Sequence, residues 1–511
     1  QGFQATLLAG KANYLCSTRF SEALKLKGQT ELFESIDQME LQRIGEWAAD
    51  QAEEGMRQEL SPRPNPDIWE QVNADSSLCS RKRCSLDDCF YQQAKERVSK
   101  ADIIIVNHSL LFALLGANLG QKPDAKGILF PDDFLVLDEA HRVPKTASDH
   151  FGATLGSYAV ALTLRRLHHP TRNKGLLAKW GKPADKKLVG ESLEAAEQLF
   201  HHVRENLLSD KDSRRVLTPD ALPTDLLHPL NRLIQRLREI SADLGDKPAA
   251  LEIKDQTERL EAIGTAFVSF QEMKHPEHVY WAEKYGKQRS HVQLRITPID
   301  LAPILKETLF RRGVSAILTS ATLCQGGGFD SFKNSIGADG IHSGLEDSPF
   351  DYESNVQVFV CRDCPDPRQQ DREPYLSHLS ESVMRCAQAV EGGTLALFTN
   401  FSDLRRVADF IASQGLSGNR ELLAHGASLP RSELRERFAA SGNALLLGTE
   451  SFWMGIDVPG PALSQVIITR LPFENPNHPV AEAKAENIRS VGLNPFSCRM
   501  RCRDFGKGLA D

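Results

Sequence analysis

Six short apolar runs, each bounded by polar or turn-forming residues, punctuate the chain: Ile103–Val106, Phe134–Leu137, Ala316–Leu318, Leu395–Phe398, Leu445–Leu447 and Val466–Ile468. Unbroken runs of this length, without the alternation of a half-exposed strand, predict buried strands of parallel sheets. Such strands need helices on both faces, so the fold class is α/β. Three runs precede residue 320 and three follow residue 390. This spacing predicts two sheets, and hence two α/β lobes.

Residues 150 to 275 change character. Leu193, Ala196, Leu199, Phe200, Val203 and Leu207 recur at helical spacing, as do Leu226, Leu230, Leu233, Ile234, Leu237 and Ile240. The pattern predicts a helical insertion whose apolar residues are packing faces. Residues 31 to 70 carry eleven Asp or Glu against three Arg and end in Ser61-Pro62-Arg63-Pro64-Asn65-Pro66, a solvated surface segment. No repeat of 20 to 50 residues is visible.

A length of 511 residues allows about three or four domains. Hydrophobic residues at 41% and charged residues at 25% exclude a disordered or fibrous chain. The net charge of −7 argues against a uniformly basic coat, but leaves room for a local basic channel. No run of 18 apolar residues and no signal-peptide pattern occur, so a cytoplasmic protein without a membrane span is expected. Ten cysteines are too few for a disulfide scaffold of this size.

The chemistry concentrates at strand ends. Asp138-Glu139-Ala140-His141 follows the run Phe134–Leu137 directly. Phosphoryl transfer from a nucleotide needs a carboxylate to hold Mg²⁺ and a second group to orient or deprotonate the attacking water, and adjacent Asp and Glu supply that pair. A chance acidic strand end capping the next helix is the bland alternative. Thr319-Ser320-Ala321-Thr322-Leu323 follows another run, with hydroxyls able to bond neighbouring loops. Gly448 to Gly460, with three glycines and Asp457, follows a third and suits a tight loop near a ligand or a plain structural turn.

Taken in order, these motifs resemble those of superfamily 2 helicases: Asp138–His141 the DEAH form of motif II, Thr319–Thr322 motif III, and Gly448–Asp457 motif V. Lys11-Ala12-Asn13-Tyr14-Leu15-Cys16, Val106-Asn107-His108-Ser109-Leu110-Leu111 and Arg470-Leu471-Pro472-Phe473 with Pro476 and Pro479 narrow the resemblance to the bacterial DinG and YoaA relatives of XPD. It extends to about Phe496. The resemblance implies two RecA-like parallel-sheet lobes, with an iron–sulfur insertion and a helical arch-like insertion in the first. Residues 1–15 would be a remnant of lobe 1, 16–93 the iron–sulfur domain, 94–149 lobe 1, 150–290 the arch, 291–325 the return to lobe 1, and 326–511 lobe 2 with motifs IV and V.

Cys16, then Cys79, Cys84 and Cys89 at five-residue steps, offer four thiolates for a [4Fe–4S] cluster or a tetrahedral zinc. Zinc sites use cysteines paired two to four residues apart, so the spacing favours the cluster. The neighbours Ser80, Arg81, Lys82, Arg83, Asp87 and Asp88 are polar, unlike those of a buried structural thiol. XPD-like families carry a cluster at this place. Lys11, Arg19, Arg81, Lys82 and Arg83 could face a DNA backbone near it, or simply form a solvated surface. Cys361-Arg362-Asp363-Cys364 has no second pair close by in sequence, which argues against metal or redox chemistry there, and Cys324, Cys386, Cys498 and Cys502 read as structural or incidental.

No Gly-rich loop ending in Gly-Lys-Ser/Thr occurs, nor a Gln-x-x-Gly-Arg-x-x-Arg; Phe505-Gly506-Lys507 is at most an echo of the latter. The chain also starts at Gln1. A fragment lacking both motifs, and inactive as such, is therefore expected. For the intact relative the resemblance implies an ATP-dependent DNA helicase with 5′ to 3′ polarity, serving repair or replication on single-stranded DNA and forked duplex. Asp138 would hold Mg²⁺ and Glu139 activate water, while His141, Ser320 and Thr322 couple nucleotide state to lobe closure; Gly455 and Asp457 would line the cleft from lobe 2. A non-catalytic iron–sulfur DNA-binding protein is the alternative. An RNA helicase fits the DEAH sequence but not the four cysteines.

Overall fold

In a computed structural model of the chain, the described residues are 2–27, 36–74, 87–118, 134–171, 173–223, 225–245, 247–286, 289–310, 315–324, 328–417, 420–426, 429–449, 452–453, 456–472 and 475–490. The chain divides into two compact units. The first comprises residues 1–137, 142–317 and 477–484, and the second 138–141, 318–476 and 485–511.

The strands are β1 (Ala5–Leu7), β2 (Ile103–Ile105), β3 (Phe134–Leu137), β4 (Ala153–Gly156), β5 (Ser213–Val216), β6 (His278–Tyr285), β7 (His291–Pro298), β8 (Ser315–Leu318), β9 (Thr394–Leu397), β10 (Leu422–Ala424), β11 (Leu445–Gly448) and β12 (Gln465–Ile468). β1 and β2 pair in parallel, and β3 pairs with β8. The apolar runs thus become strands within a residue of the expected bounds. Burial departs from expectation in the first unit: Ile103, Ile105, Phe134 and Val136 are exposed, Phe134 by 73%. Among the described residues each of these strands has a single partner.

The second unit behaves as predicted. Its parallel sheet has the order β10-β11-β9-β12, and the central strands β9 and β11 are buried throughout. Side-chain alternation sorts their residues between two cores. Ala396, Phe398, Leu445 and Leu447 pack against the helices Glu373–Gln388 and Phe401–Gln414. Leu395, Leu397 and Leu446 face Leu434, Phe438, Phe452 and Trp453.

The region from 150 is helical where the periodicity says so. Leu193, Ala196, Leu199 and Phe200 lie buried on the helix Pro183–His202, which runs on as a π-helical turn at Val203–Leu208. Leu230, Leu233, Ile234, Leu237 and Ile240 lie buried on Leu227–Leu244. Each such burial contributes roughly 2 kcal/mol. The expectation of helices alone needs correcting, because an antiparallel sheet in the order β4-β7-β6-β5 packs in the same core. β7 alternates buried and part-buried residues, whereas β6 is buried on both faces, Tyr280 and Ala282 in this core and Val279 and Trp281 against Val480 and Ala483.

One buried carboxylate organises this insertion. Asp185, 2% exposed, accepts from the Lys182 backbone N–H at 2.9 Å, capping its own helix, and from Arg236 Nε at 3.0 Å, joining it to Leu227–Leu244. Burial raises its pKa, but the bonds from Arg236 and the Lys182 backbone outweigh that and hold it below the ordinary carboxylate value. A folded-state pKa lower than the unfolded one means that stability is present above the unfolded value and lost as pH falls through the folded one. Asp185→Asn should therefore weaken the insertion by about 2 kcal/mol at neutral pH. Amide hydrogen exchange over residues 183–202 should speed up accordingly, and the difference from wild type should shrink in acid; a difference independent of pH would contradict the assignment.

Candidate functional site

Asp138–His141 leaves the end of β3, and Thr319–Thr322 leaves the end of β8. Strand pairing therefore delivers two loops, about 180 residues apart in sequence, to one place, and polar groups of both loops lock together. The Ala140 backbone N–H donates to the Thr319 carbonyl at 2.9 Å. Thr319 Oγ1 donates to Asp138 Oδ1 at 2.9 Å, and His141 Nδ1 lies 2.7 Å from Ser320 Oγ. Ser320 Oγ also accepts weakly from the Thr322 backbone N–H at 3.4 Å. Asp138, Glu139, His141, Ser320 and Thr322 are thus gathered together.

Electrostatics separates the two carboxylates. Asp138 Oδ1 takes bonds from Thr319 and from the Glu139 backbone N–H at 3.0 Å, while Oδ2 makes none among the described residues. An exposed, oriented carboxylate with a spare oxygen fits a hard cation such as Mg²⁺. Glu139 sits at φ +50°, in the left-handed region that a residue with a Cβ enters at a cost of about 1–3 kcal/mol. That turn points its carboxylate back so that Oε2 lies 3.1 Å from His141 Nδ1. Its side chain remains 58% exposed and open to water. His141 Nδ1 thus meets a carboxylate and a hydroxyl at once.

A further constellation lies at the carboxyl ends of the strands of the four-stranded parallel sheet, where open parallel sheets bind ligands. His425, after β10, places Nδ1 2.8 Å from Thr449 Oγ1, after β11, and its ring lies between those of Phe401 and Phe452. Burial first, and Arg431 second, lower its pKa. Gly448 is needed here because a Cβ would stand 2.6 Å from that of Phe452, where the loop folds back. Asp457 is exposed and its carboxylate makes no hydrogen bond among the described residues. In the first turn of the helix Phe401–Gln414, Asp403 is buried and held by Arg372 Nη2 and Arg470 Nη2, each at 2.9 Å. Both guanidiniums lie over the Tyr375 ring, at 5.7 and 5.8 Å. The sequence analysis missed His425, Asp403 and Arg372; Thr449 and Arg470 stood in noted motifs without a role of their own, and Asn400-x-x-Asp403 was a legible helix cap.

Cys16 and Cys89 belong to one buried cluster with Tyr14, Met56 and Tyr91, and the Ser17 hydroxyl donates to the Asp88 carbonyl at 2.7 Å. Residues adjacent to the two cysteines are therefore joined. Their surroundings are apolar, as for structural thiols, and not polar as the sequence around the cysteines led one to expect. Cys79, Cys84, Arg81, Lys82, Arg83 and Gly455 lie outside the described residues. Lys11 Nζ lies 5.5 Å above the Tyr91 ring. Arg19, part exposed, donates to Asn73 Oδ1 at 2.7 Å and to the Glu70 carbonyl at 2.8 Å.

Residues 383–501 match the family described as Helicase C-terminal domain. The ATP-dependent DNA helicase YoaA of Escherichia coli (strain K12) is 28% identical over 500 residues, covering 96% of this chain and 73% of that protein. The ATP-dependent DNA helicase DinG of Photobacterium profundum is 28% identical over 493 residues, covering 89% and 68%. The solved structure titled XPD_Helicase is similar in fold, with a TM-score of 0.51 at 14% identity, covering all of this chain and 79% of that one. The chain is a homologue of the YoaA- and DinG-type ATP-dependent helicases and shares the two-lobed α/β fold of XPD-like helicases.

Proposed function

We propose that the Asp138–His141 and Thr319–Thr322 loops form the hydrolytic half of an ATPase that drives 5′ to 3′ movement along single-stranded DNA and opens forked duplex. The observation carrying this reading is the division of labour between two adjacent carboxylates, one anchored with an oxygen to spare and one strained toward solvent. The polarity follows the helicase resemblance.

Mg²⁺, when bound, supplies charge neutralisation on the nucleotide's phosphates. Asp138 would hold it through the carboxylate oxygen left free, while Thr319 and the Glu139 backbone N–H fix the rotamer through Oδ1. Glu139 orients the attacking water and accepts its proton. His141, gripping Ser320 across the clasp, transmits any displacement of the Glu139 loop to the segment leading into lobe 2, and Thr322 adds a hydroxyl beside it. Asp457 and Gly455 would approach the nucleotide from the second lobe, with Arg470 positioned by Asp403.

A [4Fe–4S] cluster held by Cys16, Cys79, Cys84 and Cys89 completes the reading. Support comes from the spacing and from the shared pocket of Cys16 and Cys89. The cluster would act as a structural staple of the segment between them. Lys11, Arg81, Lys82 and Arg83 would follow the DNA backbone beside it.

In protein expressed from the full-length gene, Glu139→Gln should cut DNA-stimulated ATP hydrolysis by at least about 100-fold while nucleotide binding persists. Unchanged hydrolysis would sink the catalytic assignment, and DNA binding without any hydrolysis in wild type would favour the non-catalytic reading. For the cluster, anaerobically purified protein should contain iron and acid-labile sulfide, and both should fall in Cys16→Ser and in Cys89→Ser. A colourless, zinc-loaded wild type would refute it.

A further inference from the structure

We infer that Cys361, Cys364, Asp363 and His378 form a second metal site, in the second unit, suited to zinc or a similar borderline-soft divalent ion. Sequence spacing gave no reason for it, since Cys361-x-x-Cys364 has no second pair nearby. Folding supplies the missing partner, because His378 on the helix Glu373–Gln388 comes to lie beside the loop.

The distances fit. Cys361 Sγ is 3.5 Å from His378 Nε2 and 3.2 Å from Asp363 Oδ1, and ligand atoms of these three residues all lie within 4.8 Å of one another. Zinc bonds of about 2.3 Å to sulfur and 2.0 Å to nitrogen, at a tetrahedral angle, place those two atoms roughly 3.5 Å apart. Cys364 is not among the residues gathered there, and its Sγ would have to turn in to complete a C-x-x-C pair on one tetrahedral ion. Its Sγ makes only a long contact with the Pro365 carbonyl, at 3.6 Å, which a metal bond readily replaces. Without metal, the Cys361 S–H donates to Asp363, and this bond raises the thiol pKa. Coordination replaces that proton, and the one on Cys364, with the ion, and both protons pass to solvent.

The surroundings give the ion a task. Val356, Val358, Phe359 and Val360 are exposed, Phe359 by 86%, and this segment has little core of its own to hold it. Among the described residues, the rigid element that Cys361 reaches is the His378 helix, one of the two that cover the sheet. An ion bonded to both would staple the segment to lobe 2, as structural zinc does in small domains. Softness of the donors argues against Mg²⁺, which prefers oxygen, so the ion is distinct from the one at Asp138.

Zinc titration against a chromophoric chelator, under reducing and anaerobic conditions, tests this on the full chain. Wild type should take up one equivalent more than Cys361→Ser, Cys364→Ser or His378→Ala, or bind it on the order of 100-fold more tightly. Cys89→Ser should retain that equivalent, which separates this site from the Cys16–Cys89 region, and Arg362→Ala should retain it too. Zinc should also slow tryptic cleavage at Arg362 and Arg368 in wild type but not in the three ligand variants, each confirmed as folded by circular dichroism. Equal zinc uptake in wild type and in those variants, or a Cys361–Cys364 disulfide forming in place of metal binding, would overturn the inference.

Discussion

Everything proposed for the first site depends on one interaction, the clasp between the loops after β3 and β8. A backbone bond sets their register, Thr319 orients Asp138, and Ser320 meets His141. Each bond alone is worth about 1 kcal/mol. Together they decide which carboxylate oxygen is spent on structure and which is left for chemistry. They also explain how Glu139 is kept in a left-handed turn, because such strain persists only where neighbours over-determine the conformation.

The four-stranded parallel sheet reaches comparable order by different means. Its central strands are fully buried, and buried strands allow little play at their ends, so the residues following them are well placed. Asp403 shows how charge is handled there: two guanidiniums satisfy a carboxylate with a side chain only 3% exposed, and an aromatic ring supports both. Removing either arginine would leave an under-compensated charge, a costlier state than the pair itself. Arg470 is thereby fixed at the carboxyl end of β12.

Much of this was readable beforehand. Unbroken apolar runs located β2, β3, β8, β9, β11 and β12, and helical periodicity located the faces carrying Leu193 and Leu230, because these signals are local. The antiparallel sheet was not readable: β4 and β5 are four residues each and reach their neighbours β7 and β6 across long stretches of chain. Burial failed for Phe134 and Val136 because it depends on what packs against a strand, not on the strand's own residues alone. Within the site, residues in motifs were legible by position, but the Asp138–Thr319 and Cys361–His378 pairings were not, since pairing between distant segments is a property of the fold.

The central claim is that the clasp acts as one unit, and coupling across it is directly measurable. A double-mutant cycle with His141→Ala and Ser320→Ala, read as DNA-stimulated ATP hydrolysis and as duplex unwinding by the full-length gene product, isolates that term. The account predicts a coupling energy of about 1 kcal/mol or more in unwinding, with the double variant little worse than either single one. Strictly additive losses would contradict it.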